Sequence, residues 1–113
     1  MGMTIAEKIL ARKSGQTRVV PGDVVTVGVD VVVLFDNNFM PSIWRDILQV
    51  HDPERIIVAL DHRVPAPNQQ AAAAHRTSRE FVRRFGIKRF HDVGPNQGIS
   101  HQLVADLGYG IPG

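Results

Sequence analysis

The feature that most constrains the fold is an uninterrupted apolar run at residues 56–60, which a polar loop and a long helical pattern follow. The run is rich in β-branched residues and predicts a buried strand. Two prolines in the loop 61–67 exclude regular structure there. Asn68 is placed to cap a helix that extends to about Phe85, and Gly86 is placed to end it. This succession predicts a β-α unit of a parallel sheet.

Helix and strand patterns alternate over the rest of the chain as well. A capping box of Thr4 and Glu7 begins a helix that ends at Ser14-Gly15. The further predictions are a strand at 24–35 with a possible division near Gly28, a helix at 41–50, a short strand at 87–90 and a helix at 99–107. The order α-β-α-β-α-β-α predicts one α/β segment over residues 1–113, with a largely parallel sheet in a three-layer α/β/α arrangement.

Composition excludes several function classes. Thirteen Lys and Arg against eleven Asp and Glu leave a net charge of +2, too small and too scattered to favour nucleic-acid binding. No apolar stretch approaches the roughly 20 residues that span a bilayer, and the N-terminus lacks the apolar core of a signal peptide. We therefore expect a cytoplasmic protein without membrane contact. The chain has no cysteine, so it offers no thiolate to zinc or to an iron–sulfur cluster, and we expect no metal ligands in it.

Asp61-His62, directly after the predicted strand, is the first candidate for chemistry. Ligands of open α/β sheets bind at the carboxyl ends of the strands. A histidine transfers protons near neutral pH, and a carboxylate can fix its tautomer. Adjacent residues in extended backbone point apart, however, so Asp61 could orient another group or only cap a turn.

Two further segments contain polar residues that are candidates for a functional site. His101 follows a glycine near the start of the last predicted helix and is either part of a site or a surface histidine. Asp36 and Asn37 begin a polar loop after the first strand, which is either a substrate-facing loop or an ordinary Asx turn. The remaining histidines, His51, His75 and His91, have the sequence context of surface residues.

Taken together, these motifs resemble the aconitase superfamily, specifically the N-terminal segment of the large subunits of 3-isopropylmalate dehydratase and homoaconitase. The resemblance runs from Met-Thr-Ile-Ala-Glu-Lys at 3–8, through Pro-Gly-Asp-Val-Val at 21–25 and Asp-Pro-Glu-Arg-Ile at 52–56, to Pro-Gly at 112–113. Its most specific parts are Asp-His-Arg-Val-Pro at 61–65 and Gly-Ile-Ser-His-Gln at 98–102, in this order and spacing.

The resemblance implies a [4Fe–4S]-dependent hydro-lyase that isomerises a hydroxy acid by dehydration and rehydration, as with isopropylmalate in leucine biosynthesis. It implies catalytic roles for Asp61 and His62, which help protonate the leaving hydroxyl, and for His101, which lies near the substrate. Asp36 and Asn37 fall where related chains touch substrate, although Phe35 and Asn37-Asn38-Phe39 depart from the usual small or polar residues there. A small swivelling subunit is the implied partner.

Family members are several times longer, and their cluster cysteines and general base come after this stretch. We therefore expect an N-terminal fragment of a catalytic subunit that is inactive alone and that self-associates through uncovered apolar surface. The alternatives are a homoaconitase or dimethylmalate-type dehydratase fragment, and an α/β interaction module without catalysis.

Overall fold

The computed structural model describes residues 2–111, whose contacts separate residues 2–30 from Val31–Ile111. In the first unit, helix α1 spans Ile5–Ser14 and begins with the predicted capping box. Glu7 N donates to Thr4 Oγ1 at 3.3 Å, and Thr4 N donates to the Glu7 carboxylate at 2.6 Å. Gly15 ends the helix in the left-handed conformation, with φ 71°. The prediction for this helix is confirmed.

The predicted strand at 24–35 is correct only in its last third. Strand β1 spans Val32–Phe35, and residues 24–31 are irregular. Val24 is 98% exposed, and no described residue pairs with this stretch as a neighbouring strand. This stretch therefore has no neighbouring strand to supply backbone hydrogen bonds. Its β-branched residues favour a strand, but that preference alone does not form one.

The second unit is built on a three-stranded parallel sheet, as predicted. Strand β2 spans Ile56–Ala59 and lies between β1 and β3, the latter being Arg89–His91. Phe35 is in register with Ala59, and Ala59 with His91, so the three carboxyl ends lie at one edge. Strand β2 is buried along its whole length, which agrees with its unbroken apolar sequence.

One helix packs on one face of this sheet, and a second helix lies beside the other face. Helix α2 spans Gln69–Phe85, with Asn68 as its cap and Gly86 after its end, as predicted. Its residues Ala74 and Phe81 pack with Val58 on one face. Helix α3 spans Ser100–Asp106 and lies beside the side chains of β1 on the other face. The α/β class with a parallel sheet is therefore confirmed.

The helix predicted at 41–50 is wrong. Ile43 N and Trp44 N both donate to Met40 O at 2.8 Å in a single turn, after which the backbone is irregular. The indole of Trp44 lies 4.7 Å from the ring of Phe39 and 5.4 Å from that of Phe81. Trp44 and Ile47 pack against the core from this irregular segment, whereas Ile43 and Leu48 are exposed. No helix in the described part of the chain is long and apolar enough to cross a membrane.

Candidate active site

The parallel register brings polar side chains from two strand ends together. Asp36 directly follows β1, and Asp61 and His62 follow β2 after Leu60. One ligand-type atom from each of these three side chains lies within 4.8 Å of the others. Asp36 is separated from the pair by 25 positions in sequence, so the sheet topology creates this cluster.

Asp61 holds its neighbouring histidine and the start of helix α3. Its Oδ1 is 2.7 Å from His62 Nδ1, and its Oδ2 accepts a hydrogen bond from Ser100 N at 2.6 Å. The expectation that the adjacent side chains point apart is wrong, because the backbone bends at residues 62–63 instead of continuing extended. Burial alone would raise the pKa of Asp61, but the hydrogen bonds from Ser100 and His62 outweigh it and lower the pKa.

His62 presents one ring nitrogen to the carboxylates. Nδ1 faces Asp61 at 2.7 Å and Asp36 Oδ1 at 3.7 Å. The ring stacks on Phe35, with centroids 4.4 Å apart and planes 21° apart. Its side chain is 38% exposed, whereas those of Asp61 and Asp36 are 4% and 0% exposed. With Nδ1 committed to a carboxylate, Nε2 is the nitrogen left for proton transfer.

Asp36 is buried beneath this pair. Its Oδ1 accepts from His62 N and from Asn37 N, both at 3.2 Å, and its Oδ2 accepts from Arg63 N at 2.5 Å. Asn37 Oδ1 in turn accepts from Arg63 Nε at 2.7 Å. The predicted polar loop therefore forms a short 3₁₀ helix, Asp36–Phe39, that is tied to the residues after β2.

His101 lies next to the same cluster. It follows Ser100, whose backbone N–H is bound by Asp61, so Asp61 links the His62 loop to the His101 segment. The His101 side chain is exposed and lines a hollow of about 270 Å³ with Val33, Phe35, Ser100 and Val104. All three predicted catalytic residues therefore belong to connected segments at one end of the sheet.

The expectation that His75 and His91 are surface residues is wrong, whereas His51 is exposed as expected. His75 and His91 are only 5% and 7% exposed, and the Nε2 atom of each makes no hydrogen bond with the described residues. A signal for His75 was present in the sequence, because Ala71, Ala74 and Ser78 place it on the apolar stripe of α2.

The donor atoms of this cluster do not fit an iron–sulfur cluster. Such clusters are held by cysteine thiolates, and this chain contains none. The carboxylates of Asp36 and Asp61 are also occupied by backbone N–H groups. Backbone donors aimed at these oxygens compete with a cation for the same lone pairs. The arrangement suits the orientation of an imidazole.

Comparisons with known proteins show that the chain is similar to the large subunits of dehydratases and of a homoaconitase. It is 46% identical over all of its 113 residues to the 3-isopropylmalate dehydratase large subunit of Mycolicibacterium smegmatis, covering 26% of that protein. It is 42% identical to the probable 3-isopropylmalate dehydratase large subunit of Methanothermobacter thermautotrophicus, again over all of the chain and 27% of that protein. Over 92% of its length it is 40% identical to the methanogen homoaconitase large subunit of Methanocaldococcus jannaschii, covering 25% of that protein. No protein-family model matches the chain. The chain spans about a quarter of the length of these curated relatives.

Proposed function

Because this chain is homologous to the N-terminal part of 3-isopropylmalate dehydratase and homoaconitase large subunits, we propose that it supplies a proton-transfer element to a hydro-lyase. The reaction is the isomerisation of a hydroxy acid by dehydration and rehydration. The observation that carries this proposal is the Asp61–His62 pair, 2.7 Å apart at the carboxyl ends of parallel strands.

The pair has the geometry of a general acid and its orienting carboxylate. The lowered pKa of Asp61 keeps its carboxylate ionised near neutral pH. The ionised group holds the proton of His62 on Nδ1. When Nε2 carries the second proton, it can donate it to a departing hydroxyl, and it can take a proton back from water on rehydration.

We propose His101 as a second residue that contacts the substrate. It lies one residue after the Asp61–Ser100 hydrogen bond, beside the hollow at the end of the sheet. An exposed imidazole there can bind a hydroxyl of the substrate while His62 transfers the proton. Asp36 and Asn37, predicted to bind substrate, are engaged with backbone and with Arg63, respectively.

Other parts of the activity must come from outside these residues. A [4Fe–4S] cluster would supply Lewis acidity toward the substrate hydroxyl, and its thiolate ligands would come from other sequence, because this chain has no cysteine. We propose a small subunit as the partner, in keeping with the large-subunit names of the relatives. A cytoplasmic location fits this role and is part of the proposal.

We favour isopropylmalate as the substrate. The hollow beside His101 is lined by Val33, Phe35 and Val104, which can receive a branched alkyl group. A carboxylate in the same place would lose hydration next to apolar side chains. Homoaconitate is the second candidate, because one relative is a homoaconitase large subunit.

The test uses the complete large subunit that carries this segment, assembled with its small subunit under anaerobic conditions. His62→Asn is expected to lower the turnover of isopropylmalate by about 10²–10⁴-fold, the contribution of a general acid. His51→Asn, at an exposed histidine away from the site, is the matched control and should keep full turnover. Equal activity of both variants would refute the catalytic role and favour an interaction module.

A further inference from the structure

The Asp36 carboxylate joins two strand ends that are far apart in sequence. It is completely buried, and it accepts hydrogen bonds from the backbone of His62 and Arg63, 26 and 27 positions away. Both of its oxygens are engaged in this way. A side chain so placed cannot contact a substrate directly, but it determines where the backbone of His62 lies.

A second buried group lies beside this carboxylate. His75 on α2 is 5% exposed, and its Nε2 makes no hydrogen bond within the described part of the chain. That atom lies 3.7 Å from Asp36 Oδ2, the oxygen that also accepts a hydrogen bond from Arg63 N. A buried imidazole nitrogen without a hydrogen bond destabilises a fold unless a nearby charge compensates it. Asp36 Oδ2 is the acceptor that the structure places near this nitrogen.

We propose that Asp36 and His75 form a positioning pair for His62. Asp36 fixes the backbone of residues 62–63, so that the imidazole keeps Nδ1 on Asp61 and leaves Nε2 for the substrate. His75 packs against the buried carboxylate, with its Nε2 atom 3.7 Å from Oδ2, and so limits where that carboxylate can lie. This role rests on the proposed function of His62, but its first test requires no catalysis.

The first measurement is the ¹⁵N and ¹H spectrum of the His62 ring in the 113-residue chain. Asp36→Asn places an NH₂ group against backbone N–H donors, which removes at least one of the three backbone hydrogen bonds. We expect the Nδ1–H signal of His62 to broaden or vanish, and the ring to populate both tautomers. An unchanged His62 spectrum in the folded variant would overturn the proposal.

His75→Leu keeps the measurement decisive if the Asp36 variant does not fold. Leucine has a similar volume and removes an unpaired buried nitrogen, so a purely structural histidine should be replaced with no loss of stability. The positioning pair predicts the same His62 spectral change in His75→Leu, and its reversal in His75→Gln, which retains a donor. A wild-type His62 spectrum in His75→Leu would overturn the proposal.

Kinetics of the complete large subunit with its small subunit separate this inference from the proposed function. Both Asp36→Asn and His75→Leu should lower kcat, with Asp36→Asn lowering it by on the order of 10²-fold, as a misplaced catalytic group does, at nearly unchanged KM. If His62→Asn leaves turnover intact, the proposed function fails while the spectral test of positioning still stands. If His62→Asn abolishes turnover but His75→Leu leaves kcat unchanged, the positioning role alone is refuted.

Discussion

Replacement of Asp61 by asparagine tests directly how the site controls the protonation of His62. The carboxylate accepts one hydrogen bond from Ser100 N at 2.6 Å and one from His62 Nδ1 at 2.7 Å. An amide has one accepting oxygen and one donating nitrogen. If the oxygen keeps the Ser100 bond, the NH₂ group faces Nδ1, which is satisfied only when the His62 proton moves to Nε2. We therefore expect the tautomer of His62 to invert in a folded protein.

The loss of stability follows from the same two bonds. Hydrogen bonds to a charged group contribute about 1.5–3 kcal/mol each, and neutral ones about 0.5–1.5 kcal/mol. Exchanging two charged bonds for two neutral ones lowers the free energy of unfolding by about 2–3 kcal/mol. Urea unfolding at neutral pH measures this change through the fluorescence of Trp44, the single tryptophan, which packs against Phe39.

The contribution of Asp61 to the free energy of unfolding depends on pH. Because the pKa of Asp61 in the folded state is lowered below its ordinary value of 3.8, the ionised carboxylate stabilises the fold above that value. This stabilisation is lost as the pH falls through the folded-state pKa. The difference in unfolding free energy between the parent and Asp61→Asn should therefore be largest near neutral pH and should shrink below pH 3.8.

The tautomer is read from the ¹⁵N chemical shifts of the His62 ring. Asp52→Asn is the matched control, because Asp52 also accepts a backbone N–H, from Glu54 at 3.0 Å, but at the opposite end of β2. It should leave the His62 ring unchanged. Retention of the Nδ1–H tautomer in Asp61→Asn, or a stability difference independent of pH, would refute this reasoning.

Three further predictions concern the fold and its surface. Phe39→Ala, at a fully buried ring, should lower the free energy of unfolding by about 3–5 kcal/mol, whereas Ile43→Ala, at a residue 60% exposed, should change it little in the same urea titration. Asn68→Ala removes the 2.9 Å hydrogen bond from Ala71 N and should cost about 0.5–2 kcal/mol, most of which Asn68→Ser should restore. We expect the chain to associate with increasing concentration in sedimentation velocity. Leu48→Lys should weaken this association, because Leu48 is an apolar residue that is 84% exposed. A parent chain that stays monomeric at high concentration would contradict this expectation.

The sequence predicts correctly those elements that short-range features, such as caps and apolar spacing, determine. The cap at Asn68, the stop at Gly86 and the apolar stripe between them fix α2 without reference to other segments. The sequence of strand β2 is equally clear, because a strand buried on both faces of its sheet carries an unbroken apolar sequence. Residues 24–31 carry the same β-branched composition, but their conformation depends on a partner strand that composition does not reveal.

The candidate residues were predictable, but their arrangement was not. Asp61, His62 and His101 follow from their places after a strand and near a helix start, whereas the 2.7 Å contact within the pair depends on a bend that adjacent-residue geometry argues against. A mid-helix position predicts a surface histidine at residue 75, whereas His75 is 5% exposed. His75 lies on the same face of the helix as Ala71 and Ala74, and this spacing indicates that it is buried.

The two buried carboxylates explain why an exposed imidazole can have a fixed orientation here. Asp36 binds the backbone on the C-terminal side of β2, and Asp61 binds the start of α3 at Ser100, 39 positions away. His62 therefore sits on a loop that hydrogen bonds tie to two other segments, and its ring is also stacked on Phe35. Each tie is formed by a charged acceptor and a backbone donor, so it constrains the loop without using the ring's Nε2. A loop held in this way loses little further freedom when substrate binds, so the imidazole is already positioned for proton transfer before the reaction begins.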